Sequence, residues 1–322
     1  MNSPHLDLAI IIVSYNTREM LRACLHSAYA AMAHAKFETQ VWVVDNASSD
    51  GSPNMVRTQF PQTRLLALEH NLGFAGGNNA ALRELGFGLD HGILPDLVFF
   101  LNPDTEMRGN TLEKMAKRLY AMDNAGVVGA SLVYPDGRFQ HSAFHFPTLW
   151  QIWFDFFPWP ARFLDSALNG RYPRKFYQAG QPFAIDHPLG AAMMARADVV
   201  QQVGLMDEGF FIYAEEVDWC IRVKRAGWDI YCVPAAQIVH YVGGSTRQFR
   251  DKMFVALWRS RFRLFHKHYG RVFNQAARLL VRLGLWAEMR RARRSHSGEA
   301  LEQRLSAYHQ VWELAGRKQE QK

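Results

Sequence analysis

Three short stretches carry side chains of the kinds that hold a metal ion and move a proton: Leu97-Val-Phe-Phe-Leu-Asn-Pro-Asp104, Tyr213-Ala-Glu-Glu-Val-Asp218 and Ile238-Val-His240. In the first, five apolar residues break at Asn102-Pro103 and deliver Asp104. Proline cannot continue a central ladder, so this pattern predicts a buried strand ending in a carboxylate, at the edge where open α/β sheets bind ligands. Asp104 with Asn102 has the spacing of an acidic loop in which a hard divalent cation takes oxygen ligands from protein and diphosphate together; His240 is the candidate further ligand. In the second stretch three acids, Glu215, Glu216 and Asp218, open a helix. They complement the helix dipole there, and one of them can also take a proton from a hydroxyl group. Asp45, after Val41-Trp-Val-Val, is another strand-end carboxylate. It can accept the imide N–H of a uracil or thymine ring, or cap the segment after Ser49.

The elements that position these groups alternate in type. Strands are predicted over 8–13, 40–45, 64–68 and 97–101, and helices over 18–32, 53–60, 77–85 and 111–124. That alternation predicts a parallel, doubly wound sheet. Four loops rich in polar residues and glycine, at 14–17, 45–51, 71–79 and 102–104, follow strands on one edge and form one crevice. The 73–79 loop is no P-loop, since no Gly-Lys-Ser/Thr follows it. After 133 the regularity falls away, and 144–163 is dense in Trp and Phe. This stretch either packs on the core or presents an apolar surface to a lipid-linked acceptor or a membrane interface. A second ordered block, 186–240, holds the remaining chemistry, and helices are predicted over 253–268, 273–294 and 299–316. The expected division is a catalytic domain over 1–247, with a nucleotide-binding part at 1–133 and an acceptor and catalytic part at 134–247, followed by a basic amphipathic helical extension over 248–322.

With 322 residues, 48% of them hydrophobic, the chain can bury a large core. Its three cysteines, 24, 220 and 232, have no C-x-x-C spacing, which fits a reducing cytoplasm. No stretch approaches the roughly 18 apolar residues of a membrane span, so a cytoplasmic protein, peripheral on the inner membrane at most, is expected. The net charge of +7 is uneven: fourteen Lys/Arg against two acids between 247 and 294 give +12 locally and leave −5 elsewhere. Such a body does not wrap polyanions, and no nucleic-acid partner is expected. Within the basic stretch Val272, Ala276, Leu279, Leu280, Leu283 and Trp286 fall near one helical face. A helix of that kind either lies on an anionic membrane, through 253–294, or packs on the body with its basic face in water.

Seven motifs follow one another from Ile11 to Ser245: Ile11-Ile-Val-Ser-Tyr-Asn16, Val44-Asp-Asn-Ala-Ser-Ser-Asp-Gly51, Asn71-Leu-Gly-Phe-Ala-Gly-Gly-Asn-Asn79, Leu101-Asn-Pro-Asp104, Gly190-Ala-Ala-Met-Met, Phe210-Phe-Ile-Tyr-Ala-Glu-Glu-Val-Asp-Trp219 and His240-Tyr-Val-Gly-Gly-Ser. On these the chain resembles the family 2 inverting glycosyltransferases of the GT-A fold, and within them the rhamnosyltransferase-like members that build bacterial surface polysaccharides. The resemblance implies an α/β, Rossmann-like fold with a mostly parallel central sheet and flanking helices, followed by the helical extension. It also implies that Ser14, Tyr15, Asn16 and Asp45 face the nucleotide base, that Asn71, Gly77 and Asn78 lie near ribose or diphosphate beside Asn102, and that Asp104 and His240 hold Mn²⁺ or Mg²⁺. Glu216 matches the catalytic base. That position is Asp in most relatives, in the pattern Glu-Asp-x-Asp, so Asp218 stays a rival for the role. Asn102 replaces the first acid of Asp-x-Asp, which leaves Asp104 the indispensable carboxylate. The implied reaction is transfer, with inversion, of rhamnose or another deoxyhexose from a dTDP- or UDP-sugar to a saccharide or lipid-linked glycan. A catalytically inactive nucleotide-sugar or glycan binding module is the alternative. A glycoside hydrolase needs paired carboxylates flanking the bond and no nucleotide crevice, and the 45–79 loops argue against it.

Overall fold

The structure, a computed structural model, describes residues 6–88, 94–160, 163, 165–241, 250–295 and 297–317. Every residue of β1 (Leu8–Ser14) is buried, as are all those of β4 (Leu97–Leu101) and β6 (Ala125–Val133). Runs without polar alternation belong to strands covered on both faces. β2 (Thr39–Asp45) and β3 (Arg64–Ala67) lie parallel to one side of β1, and β4 lies parallel on the other. The sheet continues through antiparallel β11 (Ala192–Arg196), then β6, parallel β12 (Asp229–His240) and antiparallel β5 (Thr105–Met107). Its order is therefore β3-β2-β1-β4-β11-β6-β12-β5, mostly parallel as expected. β7 (Phe139–Gln140) and β9 (Phe183–Ala184) add short pairings to β6 and β12, and β8 (Ala143–Phe144) pairs with β10 (His187–Pro188) apart from the main sheet.

Alternate residues of each strand point to opposite faces, and the core divides accordingly. On one face Leu8, Ile10 and Ile12 meet α1 (Arg18–Met32), α2 (Ser52–Gln59) and α4 (Thr111–Ala121). On the other, Ala9, Ile11 and Val13 meet α3 (Gly73–Glu84), α7 (Ala197–Val203) and α8 (Glu215–Arg225). A short helix, α6 (Arg174–Gln178), puts the Tyr177 hydroxyl where the Ser142 and Ala143 amides donate to it. All three cysteines are free and buried.

Helix α3 starts earlier than the sequence expectation: residues 73–76, read as loop, are its first turn. Glycine and asparagine disfavour helices intrinsically, but here packing overrides propensity. A Cβ on Gly77 would lie 2.7 Å from Val13 Cγ1, so a glycine is needed for α3 to approach β1 this closely.

The chain falls into two compact units. The sheet unit takes in 1–146, 172–211 and 215–245. The second takes in 147–171 and 212–214 as well as the chain from 246, so the aromatic stretch groups with the helical extension. In this unit α5 (Leu149–Phe156), α9 (Arg250–His268), α10 (Arg271–Ser295) and α11 (Gly298–Gly316) pack together. Phe156 stacks on Trp258 at 5.2 Å, and a Cβ on Gly284 would collide with the Phe156 ring. Among the described residues no helix is long and apolar enough to cross a membrane.

Candidate active site

The sheet brings four strand ends to one edge. In the parallel β1/β2 register Ser14 lies beside Asp45, and β4 ends one residue before Asn102. Asp45 is buried; its Oδ2 accepts the Ser48 amide at 2.8 Å, while Oδ1 is enclosed without a partner. A buried acceptor left unsatisfied is costly. Tyr15, which follows Ser14, is 39% exposed. Asn16 holds a left-handed φ of 52° and ties two loops together, its amide donating to Ser48 Oγ at 2.9 Å and its Oδ1 accepting from the Ser49 amide at 2.8 Å. Ser14 is buried with its hydroxyl 2.9 Å from Thr17 Oγ1. Of the four residues expected at the base, three, Ser14, Asn16 and Asp45, thus make hydrogen bonds within the loops.

Two neighbours that sequence reasoning did not single out shape this crevice. Asn46 donates to the Gly73 carbonyl at 3.0 Å and so fixes the Asn71–Gly73 turn, in which Asn71 Oδ1 accepts the Gly73 amide at 2.8 Å. Asp50 accepts the Arg18 amide at 2.8 Å and the Ser52 amide at 3.0 Å, the first residues of α1 and α2, and so caps two helices with one carboxylate. Although burial opposes it, the bonds from Ser52 and Arg18 hold the Asp50 carboxyl below its ordinary value. Gly77 and Asn78, expected against the ribose or diphosphate, are instead buried inside α3. Asn78 Nδ2 donates to the Phe74 carbonyl at 2.9 Å, and its Oδ1 is enclosed without a partner. Gly73, with φ 73°, admits the Phe211 carbonyl, which would lie 2.0 Å from any Cβ there; Phe74 N donates to that same carbonyl at 2.9 Å. The start of α3 and the chain leading to the acids are thereby joined.

Asp104 and His240 meet although 135 positions separate them in sequence. The antiparallel β5/β12 register sets Thr105 opposite His240, so Asp104, one residue before β5, reaches the imidazole: Asp104 Oδ1 is 3.5 Å from His240 Nε2. Both side chains are about nine-tenths buried. Gln140 Nε2 lies 3.0 Å from His240 Nδ1, and Gln140 Oε1 is buried without a partner. The two ends of that amide differ only by a half-turn, so Gln140 can accept from Nδ1–H as readily as donate to Nδ1. Asn102 is held by its backbone, its amide donating to the Ala191 carbonyl at 2.9 Å. Val242–Ser245 of the last motif lie outside the described residues.

The three acids part company. Tyr213 and Ala214, just before α8, hold left-handed φ values of 68° and 67°, a strain of about 1–3 kcal/mol each that turns the chain sharply into the helix. Glu215 is buried with Oε2 unpartnered; burial first, then the charge of Glu216, pushes its carboxyl well above the carboxylate range. Asp218 is fully buried and accepts from Arg222 Nε at 3.0 Å. Arg222 donates onward to the carbonyls of Val203 at 2.7 Å and Leu205 at 2.8 Å, fastening α8 to the end of α7. Glu216 is the half-buried one of the three. Its side chain passes over Gly190, where a Cβ would lie 3.3 Å from Glu216 Cγ. Gly190 precedes Ala191, the partner of Asn102, so the Glu216 side chain and the Asp104 loop meet one short segment.

Comparison with known proteins identifies the family and the fold. Residues 9–204 match the family described as Glycosyl transferase family 2. An N-acetylglucosaminyl-diphospho-decaprenol L-rhamnosyltransferase of Mycobacterium tuberculosis is 27% identical over 74% of this chain and 77% of its own. Rhamnosyltransferase WbbL of Escherichia coli K12 is 25% identical over 79% of this chain and 90% of its own, and the dTDP-rhamnosyl transferase RfbF of Shigella flexneri 24% over 76% and 71%. Among solved structures, GalNAc-T7 with UDP, GalNAc and Mn²⁺ aligns at TM-score 0.61 and 12% identity over 97% of this chain, which spans 57% of that protein. Mannosyltransferase PcManGT of Pyrobaculum calidifontis, with GDP-Man and Mn²⁺, aligns at TM-score 0.55 and 16% identity over 97% of this chain and 86% of its own. At such identities the two structures speak to the fold, which is that of the GT-A glycosyltransferases.

Proposed function

The chain belongs to glycosyl transferase family 2, and from that membership we propose a metal-dependent inverting transferase that moves rhamnose or a related 6-deoxyhexose from a dTDP- or UDP-sugar to a saccharide on a lipid-linked carrier. The observation that supports this most is the pairing of Asp104 with His240 at the sheet edge. One carboxylate and one imidazole are too few to hold a cation alone, and no group of three or more His, Cys, Asp or Glu suited to a metal occurs among the described residues. The pair fits a hard ion whose remaining ligands are diphosphate oxygens, as in sites that bind Mg²⁺ or Mn²⁺ together with the substrate. Bound there, Mn²⁺ or Mg²⁺ supplies Lewis-acid neutralisation of the charge that builds on the departing diphosphate. With its amide turned so that Oε1 accepts from Nδ1–H, Gln140 would leave the Nε2 lone pair of His240 for a metal ion.

The protein's own groups account for the rest. The orphaned Asp45 Oδ1 accepts the imide N–H of thymine or uracil, which adenine lacks, and the exposed Tyr15 ring is at hand for the base. Glu216 takes the proton from the acceptor hydroxyl as that oxygen bonds to the anomeric carbon from the face opposite the diphosphate. The C1–O bond to the diphosphate breaks in the same displacement, so the configuration inverts. Burial, and then the charge of Glu216, push the Glu215 carboxyl upward and so disfavour a second negative charge beside the base. Asp218, spent on Arg222, is a positioning residue in this scheme.

The donor and acceptor follow the names of the relatives: two are rhamnosyl transferases of enteric bacteria, one of them named for dTDP-rhamnose, and the mycobacterial one acts on a decaprenol-linked sugar. The reading takes the reaction to the cytoplasm. Retention of Asp104, Glu216 and His240 together argues against an inactive binding module. The test is incubation with dTDP-, UDP- and GDP-sugars and lipid-diphosphate saccharides, following nucleotide release and the anomeric configuration of the product. Acceptor-dependent release of dTDP or UDP with inversion is expected; retention, or preference for a GDP-sugar, contradicts the proposal.

A further inference from the structure

Helix α10 has two apolar faces. Ala277, Val281, Gly284, Leu285 and Ala292 are buried, the first of these faces being the one that meets α5 and α11. Arg291 Nη1 donates to the Phe156 carbonyl at 2.9 Å, and Arg278 Nη1 to the Leu314 carbonyl at 2.8 Å. Opposite them, at spacings of 7, 4 and 3, stand Val272, Leu279, Leu283 and Trp286, exposed by 81%, 60%, 48% and 50%. Helical geometry puts these four on one stripe. Leu280, grouped with them on sequence, is only half-exposed at the stripe's margin, so Leu283 and not Leu280 continues it. A contiguous apolar stripe left in water on a helix whose core contacts are already made marks an interaction surface.

Its surroundings identify the partner. Arg271, Arg282, Arg290, Arg293 and Arg294 are all exposed on the same helix. The one acid of α10, Glu288, is bound to Arg291 and Tyr308 on the inward side. Arg290 lies 3.7 Å over the Trp286 ring, an aromatic and cation pair that suits the boundary between headgroups and acyl chains. A second copy of the chain, docked stripe to stripe, would set these arginines against their own images. A nucleic acid would use the arginines and leave the four apolar side chains in water. An anionic lipid surface satisfies both sets at once.

We propose that the outward face of α10 docks on an anionic lipid surface, with Leu279, Leu283 and Trp286 entering the interface and the flanking arginines on the lipid phosphates. The test is co-sedimentation of the full chain with phosphatidylcholine vesicles with and without phosphatidylglycerol, for wild type, Leu279→Asn/Leu283→Asn/Trp286→Ser and Arg282→Gln/Arg293→Gln/Arg294→Gln. All the substituted side chains are exposed; an unchanged melting temperature verifies the fold. Wild type is expected to bind only the anionic vesicles, and each triple variant to lose at least about tenfold in partitioning. Failure of wild type to bind, equal binding to neutral vesicles, or undiminished binding by the apolar variant overturns the proposal. So does a wild-type dimer, seen by light scattering, that the apolar variant turns into a monomer, since that assigns the stripe to a second copy.

Discussion

Asp45→Asn separates base recognition from folding. In the wild type Oδ2 is engaged by the Ser48 amide at 2.8 Å and Oδ1 is buried without a partner. Asparagine is nearly isosteric: its carbonyl can keep the Ser48 bond, which puts an NH₂ where Oδ1 was. A donor then faces the imide N–H of thymine or uracil, also a donor. A hydrogen bond to a charged group contributes about 1.5–3 kcal/mol, so affinity for dTDP and UDP should fall about 10- to 150-fold. Cytosine presents an acceptor at the same ring position, so CDP should lose little or gain, and the order of preference should shift toward it. Isothermal titration of the three nucleotides against both proteins measures this, and a melting curve without ligand checks that the fold persists. The NH₂ is as unpartnered as the Oδ1 it replaces, and the Ser48 amide keeps a neutral acceptor, so a small fall in melting temperature is expected and loss of the fold is not. Unchanged dTDP affinity in a folded Asp45→Asn protein would refute the reasoning and leave Asp45 as the cap of its own loop.

Glu216→Gln should lower turnover by about two to four orders of magnitude while nucleotide affinity persists, the usual worth of a positioned base; Asp218→Asn, which leaves Arg222 without its carboxylate, should instead cost about 3–5 kcal/mol in a denaturation experiment. The reverse pattern would transfer the base role to Asp218. Gln140→Leu should weaken Mn²⁺ binding to the nucleotide-loaded protein by about 10- to 100-fold, read by titration calorimetry or by the spin-resonance signal of free Mn²⁺, with dTDP affinity in the absence of metal unaltered. Glu215 has a folded pKa raised above its unfolded value, so the stability tied to its proton is fully present below the unfolded pKa and is lost as pH rises through the folded one. Glu215→Gln should therefore melt higher than wild type at alkaline pH, and the gap should narrow as pH falls toward the ordinary carboxylate range; a gap independent of pH would show that the wild-type carboxyl is not the group being relieved.

The fold was legible because its central strands are unusually plain: Leu8–Ser14 and Leu97–Leu101 are apolar on both faces, and each is followed by a polar loop. Asp104 and His240 were legible one at a time, from the residue types at two strand ends. Their pairing was implied by the family resemblance and not by local sequence, since it depends on the Thr105–His240 register and on the irregularity of β12 between Val233 and Gln237. The proposal of Glu216 over Asp218 as the base has one sequence signal behind it: Arg222 stands four residues after Asp218, the spacing of a helical ion pair. Gln140 carried no signal, because a glutamine in a short strand shows its value only against the histidine it meets. At Gly77 composition misled, because glycine and asparagine resemble a loop until the strand they pack on is known. The grouping of 147–171 with the tail rests on contacts such as Phe156 with Trp258, about a hundred residues apart, beyond the reach of any periodicity.

The most direct test of the central claim is calorimetric binding of dTDP, UDP, GDP and ADP with and without Mn²⁺, repeated on Asp104→Ala. Binding that is selective for dTDP or UDP, strengthened by Mn²⁺, and stripped of its metal dependence in the variant is the predicted result. A folded protein that binds none of the four, or binds all of them alike whether or not metal is present, contradicts the account.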